Sequence, residues 1–263
     1  MNLKKTTLVI SCLSALTAGS AFADANTTYI RNGNIYTNEG AWFVEAGGAK
    51  SSEFYDGQDK TAGFLLNGGY HGEDFNIDAA GINYRFYSTQ SQIFQLSTFV
   101  APGGLGYSAD DASSLKGMDK RKMSLDLGLN LDVVLGDGTI STSIRRDVTG
   151  ASKGLQSSLA YYHPFAMGSV DLVPFVGLSY ADSKYVDYYY GVKASEKTAS
   201  RAAYSGKGGA AYHLGYKLVF PINENINISQ TTKYTRLGSN ISDSPIVKSS
   251  NQWVTSLSVS YHF

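Results

Sequence analysis

Apolar and polar residues alternate with a period of two in several stretches of the chain. The clearest runs from Met123 to Val133, where Met123, Leu125, Leu127, Leu129, Leu131 and Val133 alternate with Ser124, Asp126, Gly128, Asn130 and Asp132. Period two is the signature of a strand, whose successive side chains point to opposite faces. The pattern returns in Tyr212, Leu214, Tyr216, Leu218 and Phe220, in the segment from Ile226 to Tyr234, and in Trp253, Thr255, Leu257, Val259, Tyr261 and Phe263. One such strand fits a soluble sheet lying on a core. Repeated strands of about ten residues, each with an aromatic near its end and a second face of Ser, Thr, Asn and Gly, fit a transmembrane barrel with lipid outside and a wet lumen. Tyr261 and Phe263 read as a terminal barrel signal. Beyond the N-terminal leader no apolar run approaches the roughly 18 residues of a spanning helix.

Turn chemistry divides the chain. Gly136-Asp137-Gly138, Pro164 to Ser169 and Pro221 to Asn225 read as tight connections, whereas polar stretches near 102–121, 182–208 and 238–251 read as long loops on the other side. Strands are predicted at about 41–50, 61–70, 75–87, 91–101, 122–135, 139–147, 154–163, 170–181, 209–220, 225–237 and 252–263. Eleven strands would leave the two chain ends on opposite sides, so a twelfth is expected near Thr27 to Thr37. The expected fold is all-β, a transmembrane antiparallel up-and-down barrel of twelve strands. Because Thr28 to Tyr36 alternates poorly, the alternative is a ten-strand barrel with this segment as a plug or tether. A charge at the lipid-facing Leu129 is expected to be costly and one at the neighbouring Asn130 cheap.

Lys4 and Lys5, the apolar run Leu8 to Leu16 and the triplet Ala21-Phe22-Ala23 form a secretory leader with cleavage expected after Ala23, leaving residues 24–263 as the barrel domain. The single cysteine, Cys12, lies in that leader, so neither disulfides nor cysteine-ligated metal are expected in the exported chain. With 22 basic and 22 acidic residues, no charge excess points to nucleic acid. The lumen is expected to be lined by Arg85, Asp126, Asn130, Asp132, Lys217 and Lys233, with Phe175 and His213 as bulky side chains able to block it. The four histidines show no metal spacing and no Gly-x-Ser-x-Gly elbow occurs, so no enzyme and no cofactor is expected.

Short motifs in a fixed order carry a resemblance. Trp42 with Gly47-Gly48, Phe54-Tyr55-Asp56-Gly57-Gln58, Leu115-Lys116-Gly117-Met118, Tyr188-Tyr189-Tyr190-Gly191-Val192, Ser244-Pro245-Ile246-Val247 and the final Tyr261-His262-Phe263 resemble the MipA/OmpV family of outer-membrane proteins. The family's Tyr-x-Gly-Ser stands here as Tyr55-Asp56-Gly57-Gln58. The resemblance implies residence in the outer membrane of a Gram-negative bacterium and a scaffold role, since the family's namesake binds a murein lytic transglycosylase and links it to a penicillin-binding synthase. Other members resemble adhesins or porins. The loop motifs at Tyr55, Gly57, Tyr190, Gly191, Ser244 and Pro245 are the candidate family sites. For Tyr188 to Tyr190 two readings stand, an interfacial girdle or a recognition patch; Ser244-Pro245 reads as a loop re-entry point.

Overall fold

The computed structural model describes residues 28–104 and 106–263; the expected leader and the expected cleavage site after Ala23 lie outside the described residues. Two short strands, β1 (Tyr29–Arg31) and β2 (Asn34–Tyr36), pair only with each other. The wall then runs through β3 (Ala41–Ser51), β4 (Ala62–His71), β5 (Phe75–Asp78), β6 (Gly81–Ser88), β7 (Phe94–Pro102), β8 (Leu125–Leu135), β9 (Gly138–Asp147), β10 (Leu155–Tyr162), β11 (Phe165–Met167) and β12 (Val170–Ala181). A helix, α1 (Ser183–Tyr190), interrupts the next long loop before β13 (Gly209–Pro221) and β14 (Ile226–Leu237). After a helical turn, α2 (Ser239–Ser242), β15 (Asn251–His262) ends the wall and pairs with β3. β10 and β11 both pair with β12 on either side of a break at His163-Pro164, so they share one position and the closed antiparallel barrel has twelve.

The alternation explains the wall. Leu127, Leu129, Leu214, Leu257 and Val259 turn outward and are exposed, while Asn130, Asp132, Ser256, Ser258 and Ser260 turn inward and are buried. Over most of the wall, backbone groups find their partners between strands, the condition for crossing lipid without a helix. Aromatic pairs mark the short-turn rim, Trp42 against Tyr70 at 5.4 Å and Tyr261 against Phe263 at 5.1 Å.

Two expectations are corrected here. The segment near Thr27 to Thr37 is not a wall strand: Asn32 and Gly33, both at positive φ (51° and 66°), form a two-residue turn that folds it into a hairpin. A type I′ turn needs that conformation at both positions, and Asn-Gly is its preferred sequence. Ile35 and Tyr36 are fully buried, inside the barrel. The twelfth position comes instead from the stretch expected as one strand at 75–87, which doubles back at Asp78 to Gly81 to give β5 and β6. Both alternatives for the N-terminus thus contribute: it is a plug, and the barrel still has twelve strands.

Candidate functional site

The interior is built in three tiers. On the short-turn side, hairpin β1–β2 sits in the lumen and is held at many points. The Asn32 amide donates to Asp132 Oδ2 at 2.6 Å, and Asp132 also accepts from Asn130 Nδ2 at 2.8 Å. Ser141 Oγ donates to Asn130 Oδ1 at 3.0 Å, Tyr162 OH donates to the Gly33 carbonyl at 2.8 Å, and Asn83 Nδ2 donates to Tyr36 OH at 3.0 Å. Arg31 reaches the Gly72 carbonyl at 2.9 Å, Lys217 Nζ reaches the Ile35 carbonyl at 3.4 Å, and Thr28 donates to Asp171. Ile30 and Ile35 pack with Tyr162 and Val173, so an apolar contact backs the polar ones.

On the long-loop side the loops close on one another. Tyr107, Ala112, Leu115, Met118, Val192 and Ile246 form one buried cluster drawn from three loops. Arg121 and Glu196, both with side chains 3% exposed, make a two-pronged pair at 2.9 Å on each arm. Burial pushes the Glu196 carboxyl up, but its bonds from Arg121 and from the Lys193 and Asp119 amides outweigh this and hold it at about 2. Arg201 ties the same region to the carbonyls of Ser114, Lys116 and Glu196.

Between the tiers lies a cavity of about 360 Å³, bordered among others by Asn130, Ser143, Arg145, Ser158, His213 and Lys233. All six residues expected to line the lumen turn into the interior, but only Asn130 and Lys233 border this space. Arg85 lies at the short-turn rim, paired with Glu73 at 2.8 Å and Asp74 at 2.7 Å. Asp126 accepts from Ser124 and Gln156 and faces Arg145 at 3.5 Å. Asp132 and Lys217 are spent on the hairpin. Phe175 and His213 form cavity wall, and the obstruction is the hairpin, which the sequence signals through Asn32-Gly33.

The family-motif loops are parts of the cap. Gln58 Oε1 accepts from the Phe54 and Tyr55 amides and its Nε2 donates to the Lys60 carbonyl, so it supplies the turn's local bonds beside Gly57 at φ 68°. Tyr55 stacks edge-on to Tyr107 at 5.1 Å. Tyr188 to Tyr190 end α1 rather than forming a girdle: Tyr189 is buried and donates to the Lys122 carbonyl, while Tyr190 packs on Phe54 at 5.7 Å. The Gly191 amide closes the helix on the Asp187 carbonyl, and Ser244, beside Pro245, donates to the Tyr190 carbonyl at 2.5 Å. Tyr261 and Phe263 stay on the outer face of the last strand.

The cavity holds one serine–histidine contact, Ser179 Oγ to His213 Nε2 at 2.8 Å, with Thr235 Oγ1 on Nδ1 at 3.1 Å. The third member is a hydroxyl and not a carboxylate, which leaves a histidine cation without the partner that a catalytic triad supplies. Among the described residues no group of three or more His, Cys, Asp or Glu is placed to hold a metal ion.

Comparison with known proteins identifies relatives. The family described as "MltA-interacting protein MipA" matches residues 44–263. The chain is 51% identical over 261 residues to outer membrane protein OmpV of Vibrio cholerae, covering 99% of this chain and 100% of that one. It is 50% identical over 261 residues to outer membrane protein Omp26La of Vibrio anguillarum, with the same coverage. It is 23% identical over 197 residues to the MltA-interacting protein of Escherichia coli, covering 74% of this chain and 79% of that one.

Proposed function

The chain belongs to the MipA family of proteins of the Gram-negative outer membrane, and from that premise we propose that it is a closed, non-enzymatic barrel acting as an envelope scaffold. The observation that carries this reading is hairpin β1–β2, bonded into the lumen by Asp132, Tyr162 and Asn83. With the loop cap at the other end, the barrel offers solutes no straight path, which weighs against the porin reading. What remains for partners is its two end faces. On the periplasmic face the partner is a murein transglycosylase, a reading supported by the name of the MltA-interacting relative; a penicillin-binding synthase is the second expected partner. The tight turns offer little area against the roughly 800 Å² per partner of a standard interface. The exposed apolar tips Phe165, Met167 and Ile222 add to it.

The test is planar-bilayer conductance of barrel whose gel mobility shifts on boiling. Silence from wild type together with steady conductance after deletion of Tyr29 to Tyr36 supports a closed scaffold; steady conductance of wild type moves the protein to the porin class. A photo-crosslinker at Phe165 or Ile222 is expected to capture a murein transglycosylase in cells. A second reading, surface recognition as in an adhesin, is favoured by the interlocked cap, since ordered loops lose little freedom on binding.

A further inference from the structure

The barrel wall has a built opening in its side. Strand β4 runs for ten residues, yet β5 pairs only with its last two, Tyr70 and His71, before the chain turns at Asp78 to Gly81. Above that turn the positions of β5 and β6 are missing, and at its level β4 and β7 stand three strand spacings apart, about 14 Å. The His71 carbonyl accepts the Gly40 amide on the β3 side, so the even-numbered residues Ala62, Phe64, Leu66 and Gly68 turn their backbone groups to the gap. The Gly68 amide bonds to the Asn67 side chain, which also takes the Ala79 amide at 2.9 Å. Phe64 and Leu66 are 84% and 71% exposed, against 53% for Leu129 in a fully paired part of the wall.

The opening is framed on every side. Its sill is pinned: Asp78 accepts the Ala80 amide at 2.7 Å and bonds to His71 at 3.1 Å. Its far post is β7, and overhead loop 103–124 bridges to loop 52–61 through the Gln58 to Ala112 pairing and the Ser113 amide on the Gly57 carbonyl. Phe64 lies six residues above Tyr70 of the periplasmic aromatic rim, about 20 Å along the strand, so the opening rises from near that rim into the outer half of the apolar band. The sill and far post, at Asp78, Ala80, Gly81, Val100 and Ala101, also line the central cavity.

An open sheet edge does not occur in lipid unless it borders water or protein. We propose that this is a lateral entrance from the outer leaflet to the cavity, and that it takes a single-chain amphiphile with an anionic headgroup. The tail is matched by Phe64 and Leu66 and the headgroup by a cavity that carries Arg145 and Lys233 among hydroxyls. A cavity of 360 Å³ is within the size range of small-molecule sites and accommodates the headgroup and the first part of a chain, with the rest in the opening. The passage is sideways and leaves the end-to-end path blocked, so silence in the conductance test is compatible with it.

The test uses the full barrel in phosphatidylcholine vesicles with both native tryptophans replaced (Trp42→Phe, Trp253→Phe) and a reporter at the cavity wall, Phe175→Trp. The probe is palmitate brominated at the carbon next to its carboxyl group. The expected result is saturable quenching of the reporter, competed by plain palmitate, weakened several-fold by Lys233→Gln and lost in Ala101→Phe, which fills the opening from within. Where Ala101→Phe fails the boiling test for folding, Ala80→Phe on the sill replaces it. Quenching that does not saturate, or that survives the blocked opening, overturns the proposal. So does slow hydrogen exchange at the Phe64 and Leu66 amides in the same vesicles, which would mean that a second copy covers the edge by strand pairing.

Discussion

Glu196 illustrates how much of the cap rests on single side chains. Removing one member of a buried ion pair leaves its partner desolvated, a loss of about 3 kcal/mol or more, so Glu196→Gln is expected to expose the Arg121 region to protease while the barrel keeps its heat-shifted mobility. The acid response has a definite sign. In an unfolded chain a glutamate titrates near 4.3, and here it is held at about 2. Its contribution is therefore complete above about pH 4.3 and fades as pH falls toward 2. Hydrogen exchange across the cap residues Lys193 to Arg201 is expected to accelerate over that window in wild type, and to be fast already at neutral pH in Glu196→Gln. In the wall the relevant contrast is between faces. Leu129→Arg, at an exposed lipid-facing position, is expected to cost about 2–4 kcal/mol of membrane stability, measured by denaturant-induced unfolding from vesicles. The cheap control is Ser143→Arg, which borders the cavity. Asn130, at first sight its equivalent, is bonded to Asp132 and Ser141, and replacing it breaks bonds that support the hairpin's anchor.

At the scale of elements, hairpin β1–β2 is the part with a function of its own. Its turn is held by two groups of the wall, Asp132, buried and accepting the Asn32 amide, and Tyr162, donating to the Gly33 carbonyl. Asp132→Ala removes the first of these bonds and leaves a buried amide unmet, a cost of about 1–3 kcal/mol, so single-channel records of this variant are expected to flicker between closed and open. Records as silent as wild type would mean that the other hairpin contacts suffice alone. The long strands were legible from alternation because one face meets hydrocarbon and the other water along their whole length. The hairpin was not, since it is buried on every side and carries no period-two contrast; its signal was Asn32-Gly33, a turn pair. The β5–β6 turn had a signal as well. The apolar phase runs on odd positions at Phe75 and Ile77 and on even positions at Ile82, Tyr84 and Phe86, a shift that no single strand tolerates without turning its apolar face inward. The cavity was out of reach of any such reading, because its borders come from strands distant in sequence. The inward direction of Arg85, Asp126 and Lys217 follows from alternation, but what each one pairs with depends on the hairpin and the rim.

The whole barrel depends on one seam of high sequence separation, β3 against β15, where Phe43 to Ser51 meet Val254 to His262. Contacts that join the two ends of a chain form late, since the loop entropy must be met before they reward it. The seam is also unusually close. A Cβ at Gly47 would stand 2.2 Å from the Leu257 carbonyl oxygen and 2.7 Å from the Ser258 Cα, which are backbone atoms that cannot swing aside. At its neighbour Gly48, on the outer face, the nearest such atom is the Gly63 oxygen at 3.8 Å. Gly47→Val is therefore expected to block closure and Gly48→Val to permit it, with β-branching favouring the strand in both. The readout is the fraction of barrel reaching the heat-shiftable form in refolding into lipid vesicles, which is expected to fall severalfold for Gly47→Val alone. Equal yields from the two variants would mean that the strands can part at this point without loss, and that closure is secured elsewhere along the seam, for instance where the Phe263 amide meets the Trp42 carbonyl at 2.9 Å.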